Sequence, residues 1–226
     1  AMAAGAAAGY ITAFLQTKMR IPSILAGIIT NTGLYTVNLA VMGFSSNVSL
    51  LKADTVFTAL KPLLGTYYRL VPAAVLALLA AAVLVLFLRT RLGLSIRATG
   101  DNPDMVRASS INTAFTVTVG LCIANALTAL SGAILAQYQK TADINLGTGM
   151  VIIGLASLII GETLTRKGSV GLKAFGAVLG SILYRFIIAL ALRLDLPSEC
   201  LKLISAVIVA LAIGLPALRA EKKGAV

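Results

Sequence analysis

The sequence predicts an all-α membrane protein, a polytopic bundle with about seven helical spans visible. Three observations lead there. Hydrophobic residues make up 58% of the 226 residues and charged residues 12%, about half the charged share of a soluble domain. The mean hydropathy of +0.95 is too high for the apolar surface to be hidden in one water-soluble core, so the lipid bilayer is the expected solvent. The apolar runs are also continuous. A membrane β-barrel would alternate apolar and polar residues, so helices are the remaining way to satisfy the backbone in lipid.

Taking about 20 apolar residues per span, the segments run in order. The first covers residues 1–15 and is short. It opens inside an apolar run with no basic leader, which reads as the continuation of a longer natural sequence with one or more N-terminal helices missing. The second covers 21–42, the third 70–88, the fourth 114–137, the fifth 146–164, the sixth 172–192 and the seventh 201–218. The whole of residues 1–226 is expected to form a single transmembrane domain.

Charge in the connecting loops sets the orientation. One alternate set of loops carries Lys18, Arg20, Arg89, Arg91, Arg97, Arg107, Arg166, Lys167, Lys173, Arg219, Lys222 and Lys223; the other carries Lys52, Lys61, Arg69, Lys140, Arg193 and Lys202. Twelve cations against six place the first set, and the C-terminus, in the cytoplasm. The net charge of +11 is spread over these short loops and forms no stripe on a soluble face, which argues against nucleic acid as a partner.

The most informative loop spans residues 89–113, RTRLGLSIRATGDNPDMVRASSINT. Asn102 is a good N-cap, Pro103 suits the first helical position, and Asp104 complements the helix dipole. A short, capped, basic helix between spans is expected to be a cytoplasmic docking surface. By contrast, KTADINLGTG at 140–149 reads either as a simple outer turn or as a re-entrant element lining a pathway.

Polar residues within the spans mark a candidate solute path. Asn31, Tyr35 and Asn38 fall on one face of the second span, with Thr32 and Thr36 beside them. They either bond between helices or face a water-filled route. Asn125, with Thr118, Thr128 and Gly132, makes a weaker stripe on the fourth span. Arg185 is the charge deepest in an apolar run, roughly 18 Å along the helix from Lys173 and 12 Å from Arg193. It either snorkels or faces solute. Glu162 and Arg166 are spaced for a helical ion pair or for transmitting movement at the cytoplasmic end. Glycines four apart, Gly5 and Gly9, then Gly176 and Gly180, suit close helix packing within the bundle or a dimer seam.

Other chemistries lose support. With no histidine, imidazole catalysis and histidine-ligated metals are excluded. The two cysteines, Cys122 and Cys200, read as packing residues rather than a disulfide or metal framework. GxxxxGK[ST], GxSxG and HExxH are all absent. The chain therefore has no P-loop for ATP, no catalytic residues, no metal site and no cofactor of its own.

The stretch LSIRATGDNPDMVRASSIN resembles the cytoplasmic loop of permease subunits of bacterial ABC importers, in the branched-chain amino acid and ribose group. Their pattern runs roughly R-A-x-G-x-N-x-x-x-A-x-x-x-G-I-N. Arg97, Ala98, Gly100, Asn102, Ile111 and Asn112 fit it, as does Ala108 at a shifted spacing; Ser110 stands where these permeases have Gly. GIITNTGLYTVNLAVMG followed by LLKADTVF, and INLGTGMVIIGLASLIIGETLTRKGSVGLKAFGAVLGSILY, are similar to the same group, so the resemblance covers most of the chain. It implies a non-catalytic permease subunit of a bacterial inner membrane, paired with a second permease chain in a homo- or heterodimer. Two separate ATPase subunits would sit below it and an extracytoplasmic substrate-binding protein above it.

On this view the 89–113 loop holds the coupling helix. Arg97, Ala98, Thr99, Gly100, Asp101, Asn102, Met105, Val106, Arg107 and Ala108 are its contact candidates. Met105, Val106, Ala108 and Ser109 would enter a groove on the ATPase, and Arg97 and Arg107 would meet acidic residues at its rim. The expected solute is an amino acid, with sugars and nucleosides next. Two rival functions remain, a secondary transporter or channel and a membrane scaffold. The first would need coupling-ion ligands or a filter, and the spans hold no acidic residues at depth. The second would leave the second-span stripe without a role.

Overall fold

The structure, a computed structural model, describes residues 1–193 except 52, 60, 148–149 and 166–168. It falls into two compact units, 1–145 and 146–226, each described by itself.

The first unit begins with α1 (Met2–Thr17) and α2 (Ser23–Val41). A polar connection follows, with β1 (Asn47–Ser49), two single-turn helices α3 (Val56–Ala59) and α4 (Lys61–Leu64), and a 3₁₀ turn at Gly65–Tyr67. Next come α5 (Leu70–Leu88), α6 (Arg91–Asp101), α7 (Pro103–Ala108), α8 (Thr113–Gln139) and β2 (Thr141–Asp143). A further 3₁₀ turn at Ile144–Gly147 follows β2. The second unit contains α9 (Met150–Leu164) and α10 (Val170–Arg193).

Six of the seven predicted spans are therefore helices, and the seventh lies outside the described residues. Among the described residues, four helices are long and apolar enough to cross a membrane: α2, α5, α8 and α10. At 1.5 Å per residue, the 16 residues of α1 and the 15 of α9 reach roughly 24 Å and 22 Å, short of a 30 Å hydrocarbon core. Along α5, Leu78, Leu79, Val83 and Leu86 are exposed, as lipid-facing residues must be when lipid is the solvent.

Backbone contact holds α1 against α8. A Cβ at Gly5 would overlap the Asn125 carbonyl, and one at Gly9 would overlap the Leu121 carbonyl. Ala13, one turn further on, is fully buried. Leu121 and Asn125 are likewise one turn apart, so a ridge of small residues on α1 lies on the backbone of α8. The second unit repeats the device. Gly176 and Gly180 on α10 meet Gly161 and Ser157 on α9, where Cβ atoms would again strike backbone. Both glycine pairs thus pack within their own units. The partner at Gly161 was hidden in the sequence because it has no second glycine four residues away.

Two buried hydroxyl pairs join further helices. Thr12 and Thr30, 3.0 Å apart, link α1 to α2, while Thr99 and Thr116, 2.9 Å apart, link α6 to α8. All four hydroxyls also bond back to their own turns, as do Thr118 to the Ala114 carbonyl and Thr128 to that of Ala124. Asn125 bonds back in the same way, to the Leu121 carbonyl.

At the opposite end of the unit from α7, β1 pairs antiparallel with β2, with Asn47 opposite Asp143 and Ser49 opposite Thr141. Thr141 donates to the Asn47 side chain at 2.6 Å. Phe57 is buried and meets Tyr138 edge-on at 5.9 Å, and the Arg69 guanidinium lies 5.3 Å from the Tyr68 ring and 5.7 Å from that of Tyr138. The polar stretch after α2 thus closes over the C-terminal end of α8. Residues 140–147 form an ordered strand and turn there. Lys140 takes a left-handed conformation (φ 57°) that ends α8.

Candidate functional site: a docking loop and an amide-lined groove

The 89–113 loop folds as two helices rather than one. Thr90 starts α6, its hydroxyl accepting from the Gly93 amide at 3.2 Å. Gly93 is needed there because a Cβ would strike Phe87 and Leu88 at the end of α5. The loop turns at Asn102. Its backbone N–H closes α6 on the Ala98 carbonyl at 2.9 Å, while its side-chain oxygen accepts from the Asp104 and Met105 amides, both at 3.1 Å. Pro103 takes the first position of α7 and Asp104 its first turn, as the sequence predicts.

The side chains of α7 then divide. Val106 is 1% exposed and anchors the helix on its own unit, whereas Met105 is 58% exposed. Val106 is thus not on the face open to a partner. Arg107 reaches Asp104 at 3.4 Å and donates to the Thr113 hydroxyl at 3.3 Å. The ion pair is open to water and worth little on its own, but the second bond ties α7 to the start of α8. Asn112 caps α8, accepting from the Phe115 amide at 3.2 Å. Arg97, Gly100, Asp101 and Ala108 are exposed, Ala98 is half-buried, and Thr99 is buried against Thr116.

Ser110 closes the loop with φ 61°. A residue without a Cβ adopts that left-handed conformation at no steric cost, which is the physical reason for Gly at this place in the pattern.

A groove of about 500 Å³ lies between α1, α2 and α8, with Asn31, Asn125, Gln16 and Ser23 among its polar walls. Asn125 donates to the Leu121 carbonyl at 2.9 Å, which fixes its amide and leaves its oxygen as an acceptor. The structure thus brings Asn31 and Asn125 together. Tyr35 and Asn38 lie further along α2, both exposed and outside the lining. A second cavity, about 750 Å³, lies between the end of α1 and the docking loop, with Arg20, Arg107, Thr99 and Thr113 on its walls. Sequence reasoning missed Gln16, which lines both. Its signal is a lone amide ending an apolar helix, with no stripe around it.

In the second unit Arg185 is exposed on α10, next to the buried Tyr184. Glu162 is exposed near the end of α9, and its expected partner Arg166 lies outside the described residues.

Residues 1–213 match the family described as branched-chain amino acid transport system / permease component. A tyrosine transport system permease protein of Clostridioides difficile is 35% identical over 209 residues, which covers 92% of this chain and 68% of the relative. An uncharacterised protein of Rickettsia prowazekii is 31% identical over 212 residues, covering 92% of this chain and 74% of its own. A xylose transport system permease protein of Haemophilus influenzae is 31% identical over a shorter stretch, 118 residues, or 51% of this chain and 31% of its own. No solved structure matches. With a helical, multi-pass architecture, a capped loop that fits the permease pattern, and a family match along nearly its whole length, the chain belongs to the branched-chain amino acid permease family, the membrane subunits of bacterial ABC importers.

Proposed function

We propose that this subunit forms the translocation path for a small polar solute, an amino acid first, and couples it to separate ATPase subunits through the 89–113 loop. A second permease chain and an extracytoplasmic binding protein complete the importer. The subunit lies in the cytoplasmic membrane with its C-terminus inside. Asn31, Tyr35, Asn38, Asn125 and Arg185 serve the solute. Arg97, Asp101 and Met105 lead the contacts with the ATPase, and Glu162 with Arg166 stands at the cytoplasmic end of α9.

One observation carries the coupling role. The exposed Met105 sits on a capped helix whose next residue, Val106, is buried. An apolar side chain held out from an anchored helix, with Arg97 and Arg107 nearby in the same loop, suits a groove with an acidic rim. Among the described residues, no ionised group lines the groove that contains Asn31 and Asn125, as suits a solute held by hydrogen bonds. An amino acid is preferred because the tyrosine permease matches along most of its own length.

Co-purification from native membranes is the test. A P-loop ATPase recovered with the wild type and lost with Met105→Asp, while the permease remains in the membrane, supports the docking role. Retention of the ATPase by Met105→Asp together with unchanged ATP-driven tyrosine uptake would sink it.

A further inference from the structure

The two cavities of the first unit meet at one side chain. Gln16 lines the amide groove between α1, α2 and α8, and it also lines the larger cavity beside the docking loop. It is half-buried, and among the described residues its amide has no hydrogen-bond partner. The two sides of Gln16 differ in charge. Towards the groove its polar neighbours are hydroxyls and amides, among them Ser23, Asn31 and Asn125, with no ionised side chain among the described residues. Towards the 89–113 loop the walls carry two guanidinium groups, Arg20 and Arg107, and no carboxylate among the described residues. Asp104 pairs with Arg107 at 3.4 Å from outside that lining, and Arg20 has no acidic partner among the described residues. Partial neutralisation of one arginine leaves the mouth basic.

We propose that the two cavities form one route along α1, with the Gln16 amide at its neck, and that its basic end favours solutes bearing a carboxylate over cationic ones. The proposal rests on the permease function stated above and adds the neck residue and the charge class. In the groove a zwitterion can keep its polar groups on the side-chain amides of Asn31, Gln16 and Asn125, which supply both donors and acceptors. A basic cleft with low-dielectric walls raises the local concentration of anions and lowers that of cations. Guanidinium groups also offer two parallel donors to a carboxylate. Such a solute moving past Gln16 therefore exchanges one set of donors for another, while a cationic solute meets repulsion at the arginines.

The test needs no knowledge of the natural solute. The full chain carrying Cys122→Ala and Cys200→Ser receives a single Gln16→Cys. Inside-out membrane vesicles are then treated with an anionic or a cationic methanethiosulfonate reagent, each rate being divided by that on a small free thiol. The expected normalised rate is about 10-fold higher for the anionic reagent, and Arg20→Gln with Arg107→Gln should remove most of that preference. A ratio of one or below with the arginines intact overturns the charge preference. Failure of Gln16→Cys to react at all, while the neighbouring Lys18→Cys reacts, overturns the route.

A second position guards against local misfolding. Asn125→Cys should react at least about 10-fold more slowly beside Gln16→Trp than beside Gln16→Ala, and equal rates would remove Gln16 from the neck. Labelling requires neither ATP nor a partner chain. A missing ATPase would therefore leave these rates standing, and a flat labelling pattern would leave the docking loop standing.

Discussion

Asn102→Ala isolates the cap of α7. The Asn102 side chain accepts from two amides at 3.1 Å, those of Asp104 and Met105, and alanine can replace neither bond. Loss of an Asn cap costs about 1 kcal/mol, up to about 2 when the cap is well formed. With only 6 residues, α7 is far below the length at which a helix persists by its own propensity, so it depends on this cap together with the buried Val106 and the Arg107–Thr113 bond. A loss of 1–2 kcal/mol multiplies the open population by roughly 5–30. Amide hydrogen exchange read by mass spectrometry should show this increase for residues 103–108. The start of α8 has its own cap at Asn112 and should keep its protection. Asn102→Asp preserves the acceptor and adds a charge suited to the helix N-terminus, so its exchange should stay within about 2-fold of the wild type, and ATP-driven uptake lost in the alanine variant should return. If Asn102→Ala exchanges at the wild-type rate, the cap does not hold α7 in place and the platform under Met105 has another origin.

Five further substitutions probe the scaffold. Gly9→Ala places a Cβ 2.8 Å from the Cys122 Cα and against the Leu121 carbonyl, backbone atoms that cannot move aside, and should cost about 1–3 kcal/mol in thermal unfolding. Gly27→Ala, with nothing within 4 Å, should not destabilise. Ser110→Gly relieves a left-handed residue at φ 61° and should add about 1 kcal/mol, read as a higher unfolding midpoint. Thr99→Val and Thr116→Val should each destabilise by about 1–2 kcal/mol and the double variant by clearly less than their sum, because either single change already breaks the 2.9 Å bond; strict additivity would refute that link.

Legibility in the sequence followed the range of the interactions. Spans and helix starts rest on contacts within a few residues, and apolar length and the Asn102, Pro103, Asp104 series were enough to place them. Gly5 and Gly9 announced a close helix contact but not its partner, since Leu121 and Asn125 are more than a hundred residues away and carry no matching small-residue stripe. The β1–β2 pairing joins distant residues, with a side-chain hydrogen bond across it between Thr141 and Asn47, 94 apart, and a three-residue strand has no periodicity to read. Asn31 and Asn125 were each visible as amides in apolar runs, yet only the packing of α1 between them makes one groove. Gln16 and the hydroxyl pair Thr12–Thr30 escaped notice because a single polar residue near a helix end looks like ordinary punctuation. Val106 was misjudged in orientation: next to Met105 in a six-residue helix, apolar character alone could not say which of the two faces inward.

The contacts of α8 indicate which parts of the first unit can move. Gly5 and Gly9 rest on its backbone with no space for a Cβ, and the next ridge position on α1 is Ala13. A slide of α1 by one turn, 5.4 Å, would put the Cβ of Ala13 where Gly9 now meets the Leu121 carbonyl, and the opposite slide would put that of Ala1 where Gly5 meets Asn125. Both directions collide with backbone, so α1 and α8 act as one body. The docking loop is fastened to that body through Thr99–Thr116 and Arg107–Thr113, and the β1–β2 cap through Phe57 and Tyr138. By contrast, α2 buries only Ala26 and Thr30 and is hydrogen-bonded to α1 through one hydroxyl pair. Widening or narrowing of the groove therefore falls to α2, the helix that carries Asn31, while Asn125 stays with the α1–α8 pair. A force applied at α7 would therefore move Asn125 with the α1–α8 pair and leave Asn31 to follow through α2, which is what the proposed coupling of the 89–113 loop to the groove requires.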